Sequence, residues 1–218
     1  MPWLGFFKKI LYSDIFVFLD DVKYVRSQYH NRNKIRIREG SSWLTVPVKS
    51  KSQENLKEVT IDYNSNWNIK HKKTLKQNYM KSRYFHDYWD FFDKTYDKKF
   101  EKLIDLNMKI IKNFMNILKI NTKTIFSSEL NIKKTKSERI LAICKALEAD
   151  VYLSGALGIN YLKVEDFTKN NITVEFQNFQ HPVYSQVFEP FIPNLSTIDL
   201  IFNKGKDSAK ILLESKTF

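Results

Sequence analysis

The stretch "TKTIFSSELNIKKTKSERILAICKALEADVYLSG", residues 122–155, decides the fold. TKTIFSS is a short β-rich run ending in small polar residues, which predicts a strand. Thr135 and Glu138 then stand at capping-box spacing and open a helix over TKSERILAICKALEA. DVYLSG follows as a second apolar strand that ends at a glycine. Strand, helix and strand in succession predict a parallel sheet with helices on its faces. Downstream the alternation continues. A helix is expected over Asn160–Thr168, a strand over ITVEFQNF, and a helical tail over Ser196–Leu213 broken near Lys204-Gly205-Lys206.

Upstream, DIFVFL (14–19) is apolar without alternation, the mark of a strand buried on both faces. NKIRIRE and SWLTVPVKS, joined by Glu39-Gly40-Ser41, read as a hairpin in which Ile35 and Ile37 face inward and Lys34, Arg36 and Arg38 outward. EVTID (58–62) is a further short strand. From Asn66 the period changes: Trp67, His71, Leu75 and Tyr79 recur every four residues, a helical stripe. A longer helical region spans His86–Leu118, with its best face at Leu103, Leu106, Ile110, Phe114 and Ile117. The expected fold is α/β: a parallel, Rossmann-like sheet within one domain, 1–218, interrupted between its second and third strands by a hairpin and long-helix insertion over 30–120.

Composition narrows the function classes. Hydrophobic residues make up 43% and aromatics 15%, which excludes disorder for most of the length. Charged or amide residues break every apolar run well short of the roughly 20 residues a bilayer span needs. Lys8 and Lys9 follow the first apolar block instead of preceding it, so no signal peptide is read. The single cysteine, Cys144, rules out an intrachain disulfide framework, and a cytoplasmic protein is expected. In ILAICKAL, Cys144 lines up with Ile140 and Leu147 and reads as a core residue. The net charge of +12 invites a nucleic-acid reading. Yet only six of the 36 basic residues are arginine, the residue that reads phosphates and bases with a bidentate fork. The lysines are scattered, which weighs against nucleic acid and favours a small anionic substrate.

Dinucleotide, P-loop, nucleophile-elbow and zinc-helix signatures are absent, and no metal-ligand set or cofactor motif is read. Candidate chemistry therefore rests on local constellations. Asp20 and Asp21 follow a buried strand, where open α/β sheets bind ligands, although a simple turn explains them equally. Ser154, Gly155 and Gly158 leave a strand and enter a helix, so their backbone N–H groups are candidates to hold an anionic group; a glycine turn would look the same. His181-Pro182 forces extended backbone at the histidine, with Tyr184 and Gln186 at alternating spacing beyond it. This makes His181 a candidate general base, the alternative being packing under the C-terminal helix. Asn31 and Arg32 precede a strand, where Arg32 can clamp a carboxylate or phosphate or else bridge to Asp20 or Asp21. His71 lies on the apolar stripe and reads first as a core histidine. His30 reads as surface loop, and His86 carries no signal.

In order along the chain, PWLGFF, SDIFVFLDDVKY, NRNKIR, WLTVPVK, W…KH…L…Y, LNMKII, RILAICKALEADVYLSGALGINYL and HPVYSQ resemble the WbqC-like family, in register from Pro2 to about Gly205. Members occur commonly in bacterial surface-polysaccharide (O-antigen) gene clusters. The resemblance implies that Asp20, Asp21, Asn31, Arg32, Lys70, His71, Ser154, Gly155, His181, Tyr184 and Gln186 match the family's recurrent polar positions, which draws His71 and Lys70 into the candidate site. Two departures stand out. Glu148 replaces the usual glycine ahead of Ala149-Asp150. Family members also typically begin with a short strand and a QP-x-Y segment before P-W-L-G, where this sequence begins at Met1. PWLGFF therefore reads as the second half of a turn: either the true start lies upstream and the sheet lacks its central strand, the favoured expectation, or another segment fills that slot.

Together these readings favour an enzyme of surface-polysaccharide biosynthesis, a transferase moving an acyl or aminoacyl group onto an amino sugar or its nucleotide-activated form. His181, Asp21 and His71 would be catalytic. Asp20, Asn31, Arg32, Lys70, Ser154, Gly155, Gly158, Tyr184 and Gln186 would bind a small anionic substrate such as a nucleotide-sugar or acyl thioester. The rival readings are a non-catalytic accessory protein of glycan assembly and a nucleic-acid binder. Cofactor, metal and oligomeric state are left open.

Overall fold

A computed structural model describes residues 1–217. The first element is a helix, α1 (Leu4–Leu11), where the sequence suggests half a turn. Pro2 and Gly5 mislead here. Proline is tolerated at the start of a helix, and Gly5 is required because a Cβ there would come within 2.5 Å of the Trp3 ring. Leu4, Phe7 and Ile10 bury one face of α1. Lys8 is also fully buried: its ammonium donates to the carbonyls of Leu212 (2.9 Å) and Leu213 (2.8 Å). Those carbonyls close the C-terminal end of α8 (Ser208–Glu214), where a cation also meets the negative end of the helix dipole.

Four strands carry the α/β alternation. β1 (Ile15–Phe18) pairs in parallel with β6 (Lys123–Phe126), Ile15 opposite Lys123. β7 (Val151–Ser154) pairs in parallel with β8 (Thr173–Phe176), Val151 opposite Thr173. The crossover between the pairs is α5 (Lys136–Ala146), and α6 (Val164–Thr168) links β7 to β8. The α/β class therefore holds. A continuous Rossmann-like sheet is not seen: among the described residues no ladder joins β1 to β7. Every residue of β1 is accordingly only half-buried, where burial on both faces is expected of a central strand. α1 spans the two pairs. Phe6 packs edge-on against Phe16 of β1 at 5.5 Å, and the Gly5 carbonyl accepts from Gln177, just past β8, at 2.9 Å.

Between β1 and β6 the chain makes the hairpin β2 (Arg32–Arg36) and β3 (Ser41–Thr45), then the short pair β4 (Val48–Lys49) and β5 (Thr60–Ile61). Three helices follow: α2 (Trp67–Tyr79), α3 (Phe85–Asp97) and α4 (Leu103–Ile117). All four residues of the α2 stripe are buried, as their spacing requires. The helical region after His86 is two helices, interrupted at 98–102. α7 (Ile198–Lys204) closes the main core, in which Phe7, Phe92, Phe114 and Phe202 meet. A smaller cluster of Ile140, Cys144, Phe167 and Ile172 lies under β7 and β8 and takes Leu19 from the end of β1. Cys144 is a core residue there, its thiol pushed up to about 11 by burial.

Two local expectations are corrected. Thr135 precedes α5 without any side-chain cap bond. Arg36 does not face solvent but is 1% exposed, because the segment near Pro190 covers it. Its guanidinium donates to the carbonyls of Ile37 (2.8 Å), Gly40 (2.6 Å) and Pro190 (3.0 Å), acceptors no strand pattern reveals.

Candidate functional site

The hairpin and helices α2, α3 and α4 border a small cavity of about 20 Å³, lined by Asn31, Arg32, Asn33, His71, Tyr96 and Asn107 together with Met1 and apolar neighbours. Each of these polar side chains except Tyr96, whose hydroxyl stands 4.0 Å from Met1 Sδ, is fixed by a backbone bond. Asn31 Nδ2 donates to Val46 O at 2.9 Å, Asn33 Nδ2 to Met1 O at 2.7 Å, and Asn107 Nδ2 to His30 O at 2.9 Å. His71 Nε2 stands 3.1 Å from Thr45 O. A carbonyl only accepts, so Nε2 carries the proton and Nδ1 keeps its lone pair. The rings of Trp67 and Tyr96 meet His71 edge-on at 5.0 and 5.7 Å and fix its orientation. Burial lowers the imidazole to a pKa of about 4, so the ring is neutral at physiological pH.

Three buried atoms around this cavity lack partners: His71 Nδ1, Asn31 Oδ1 and Arg32 Nε. An unsatisfied buried polar group costs about 1–3 kcal/mol. Three of the lining residues thus carry an unpartnered buried atom, two acceptors and one donor, and the space they line is large enough for one water or one amino or hydroxyl group. Sequence reasoning named all three residues but treated His71 separately from the Asn31–Arg32 pair. Tyr96 and Asn107 were missed, having no signal beyond their places on helical faces. Lys70 is exposed on α2 and is not among the lining residues.

A second cluster lies at the carboxyl ends of β1 and β6. Asp20 is buried and accepts from Ser127 Oγ (3.2 Å), Ser128 N (3.0 Å) and Ser128 Oγ (2.7 Å). Asp21 accepts from Ser127 Oγ and pairs with the Arg139 guanidinium of α5. Burial pushes the Asp21 carboxyl upward, but the Arg139 and Ser127 bonds outweigh it and hold it below the usual carboxylate range. The bridge to Asp21 is thus made by Arg139, while the Arg32 guanidinium donates to Ser27 O instead.

A third cluster gathers two predicted residues around one that sequence reasoning missed. Asp199, fully buried on α7, accepts from Tyr79 (2.9 Å), Tyr184 (2.9 Å) and Gln186 (2.8 Å). Burial raises its carboxyl, and the three donors oppose that rise. Its only sequence signal is an acid inside the apolar run IDLIF. Gln186 also exchanges bonds with the backbone of Ile192, so the whole segment is tied down. His181 Nδ1 lies 3.0 Å from Pro182 O and therefore donates, leaving Nε2 buried without a partner among the Phe179, Tyr184 and Phe191 rings. Burial lowers its pKa. No described contact joins His181, Tyr184 or Gln186 to Asp20 or Arg32.

Beyond β7, Ser154 is fully buried and donates to Gly155 O at 3.1 Å. The Gly158 N–H is spent on Gly155 O at 2.9 Å. A Cβ at Gly158 would collide with Ser154 Oγ, so glycine is needed for packing there. Among the described residues no group of three or more His, Cys, Asp or Glu side chains is placed to hold a metal ion. No helix among them is long and apolar enough to cross a membrane.

No solved structure matches this chain. Uncharacterized protein Rv1507c of Mycobacterium tuberculosis (strain ATCC 25618 / H37Rv) is 29% identical over 216 residues, which cover 97% of this chain and 93% of that protein. The model of the WbqC-like protein family matches residues 1–211, a span that includes all three clusters. With nearly its whole length matched in this way, the chain belongs to the WbqC-like protein family.

Proposed function

We propose that this chain is an enzyme of bacterial surface-polysaccharide biosynthesis that transfers an acyl or aminoacyl group to the amine of an amino sugar or nucleotide-activated amino sugar. One observation carries the reading: the residues that line the cavity of about 20 Å³ include two with an unpartnered buried acceptor, His71 Nδ1 and Asn31 Oδ1. A neutral amine donates one N–H to each and keeps its lone pair for attack. As it adds to a thioester carbonyl, the N–C bond forms and the nitrogen gains positive charge. His71 Nδ1 then takes that proton, the C–S bond breaks, and the proton passes to the departing thiolate. A buried imidazole is a weak base, but the N–H of such an adduct is far more acidic than a free ammonium. Burial thus keeps Nδ1 available as an acceptor throughout neutral pH. In this scheme the base is His71, with Arg32 beside the anionic part of the substrate. His181 and Asp21 stand apart from the cavity.

The test is product formation. Wild-type protein incubated with an amino-sugar nucleotide and an acyl thioester is expected to yield the N-acylated sugar by mass spectrometry. His71→Gln, which can still donate to Thr45 O, is expected to lose about a hundredfold in turnover. Undiminished turnover in that variant would remove His71 from the chemistry.

A second reading, a non-catalytic binding protein of glycan assembly, draws support from Tyr184 and Gln186 being spent on Asp199 instead of facing Arg32. Tight sugar binding without any acylated product would favour it.

A further inference from the structure

The outer face of the β2–β3 hairpin bears an aromatic platform flanked by cations. Lys34 stands directly opposite Trp43, and Arg32 is one pair along, opposite Thr45. The period of two puts Arg32, Lys34, Trp43 and Thr45 on one face. The Arg32 guanidinium lies 4.2 Å from the Trp43 ring centroid, and the Lys34 ammonium 5.2 Å away. Tyr29 leans on the same indole, with ring centroids 5.7 Å apart. Trp43 keeps 38% of its surface exposed and Tyr29 68%, on a chain whose other large aromatics are mostly buried or half-buried. Neither Arg32 nor Lys34 has a carboxylate within ion-pair distance among the described residues. Two like charges are thus held against one indole with no acid to offset them. A partly exposed indole under two uncompensated cations, with the more exposed Tyr29 ring against it, suits a ligand that has an apolar ring face and an anionic group.

We infer that this face binds the sugar and phosphate of a nucleotide-activated sugar, Trp43 and Tyr29 stacking on a ring while Arg32 and Lys34 hold the phosphates. The inference rests on the proposed transferase reading and names its substrate class. Arg32 connects the two places: its guanidinium lies on Trp43, and it is among the residues that line the cavity taking the amine. The size of the platform selects a small ligand over a polynucleotide. Single strands are held by successive stacking rings along a basic groove, whereas this face offers one aromatic pair beside a one-group cavity.

UDP-N-acetylglucosamine, whose acetamido group stands for the acylated product, is the probe, followed by tryptophan fluorescence and calorimetry. UDP alone, free N-acetylglucosamine and a single-stranded oligodeoxynucleotide are the comparisons. Wild-type protein is expected to bind the nucleotide sugar more tightly than either half, with quenching that Trp43→Phe abolishes while keeping most of the affinity. Trp43→Ala and Arg32→Gln are each expected to weaken binding roughly tenfold. Unchanged affinity in both variants, no binding of the nucleotide sugar, or tighter binding of the oligonucleotide at physiological salt would overturn the platform. Platform binding retained in a protein that forms no acylated product would overturn the transferase reading alone.

Discussion

Burial sets the charge of His71, and the sign of its effect on stability follows. The imidazole titrates near 4 when folded, against about 6.5 in an unfolded chain, so between those values the unfolded state binds the proton and the folded state does not. Its contribution is fully present above pH 6.5 and is lost as pH falls toward 4. At pH 5 the loss amounts to about 2 kcal/mol. Urea unfolding at pH 7 and pH 5 should show it, and His71→Gln should lack that part of the difference; an equal drop in the variant would assign the pH dependence to other groups. At this scale the sequence was partly legible. Asn31, Arg32 and His71 stood out as polar residues at chosen places, but only the fold brings the start of β2 against α2. Asp199 was illegible for a physical reason: it is compensated by Tyr79, remote in the chain, and by Tyr184 and Gln186 on the segment before α7, and one acid in an apolar helix announces none of them.

Elements whose burial follows one period were readable. The α2 stripe and the α4 face came directly from spacing, because each helix presents a single face to the core. α1 was not, since Gly5 serves the Trp3 ring and only looks like a breaker. Contacts between elements account for two further expectations. Gly205 ends α7 at φ +55°, and a Cβ there would come within 2.5 Å of the Tyr84 ring that seats the start of α3. Gly205→Ala should therefore destabilise by about 2 kcal/mol or more, combining backbone strain with a clash. Tyr184→Phe removes one donor from the buried Asp199 carboxylate and should cost about 2 kcal/mol. Denaturant midpoints measure both. A midpoint unchanged from wild type in Tyr184→Phe would mean that Tyr79 and Gln186 suffice to hold the segment onto α7.

At the scale of the molecule, the helical core and the strands are unequal partners. Phe7, Phe92, Phe114 and Phe202 are fully buried among helices, whereas each parallel pair has only one ladder and β1 is half-buried throughout. Amide hydrogen exchange should be slowest in α2, α4 and α7 and clearly faster in β1 and β7. Equal protection in the strands would mean that the two pairs open only with the whole protein. Strand–helix alternation made the α/β class legible. Separation into two pairs was not, because local periodicity identifies strands without saying which of them share an edge. The buried ammonium of Lys8 has a consequence of another kind. Its acceptors at Leu212 and Leu213 lie more than two hundred residues along the chain, and the ribosome makes them long after Lys8. α1 thus waits for α8: until α8 emerges, the Lys8 ammonium lacks the two carbonyls that offset its burial. Contacts of such long range form slowly, so the final packing of α1 is set to follow the synthesis of α8.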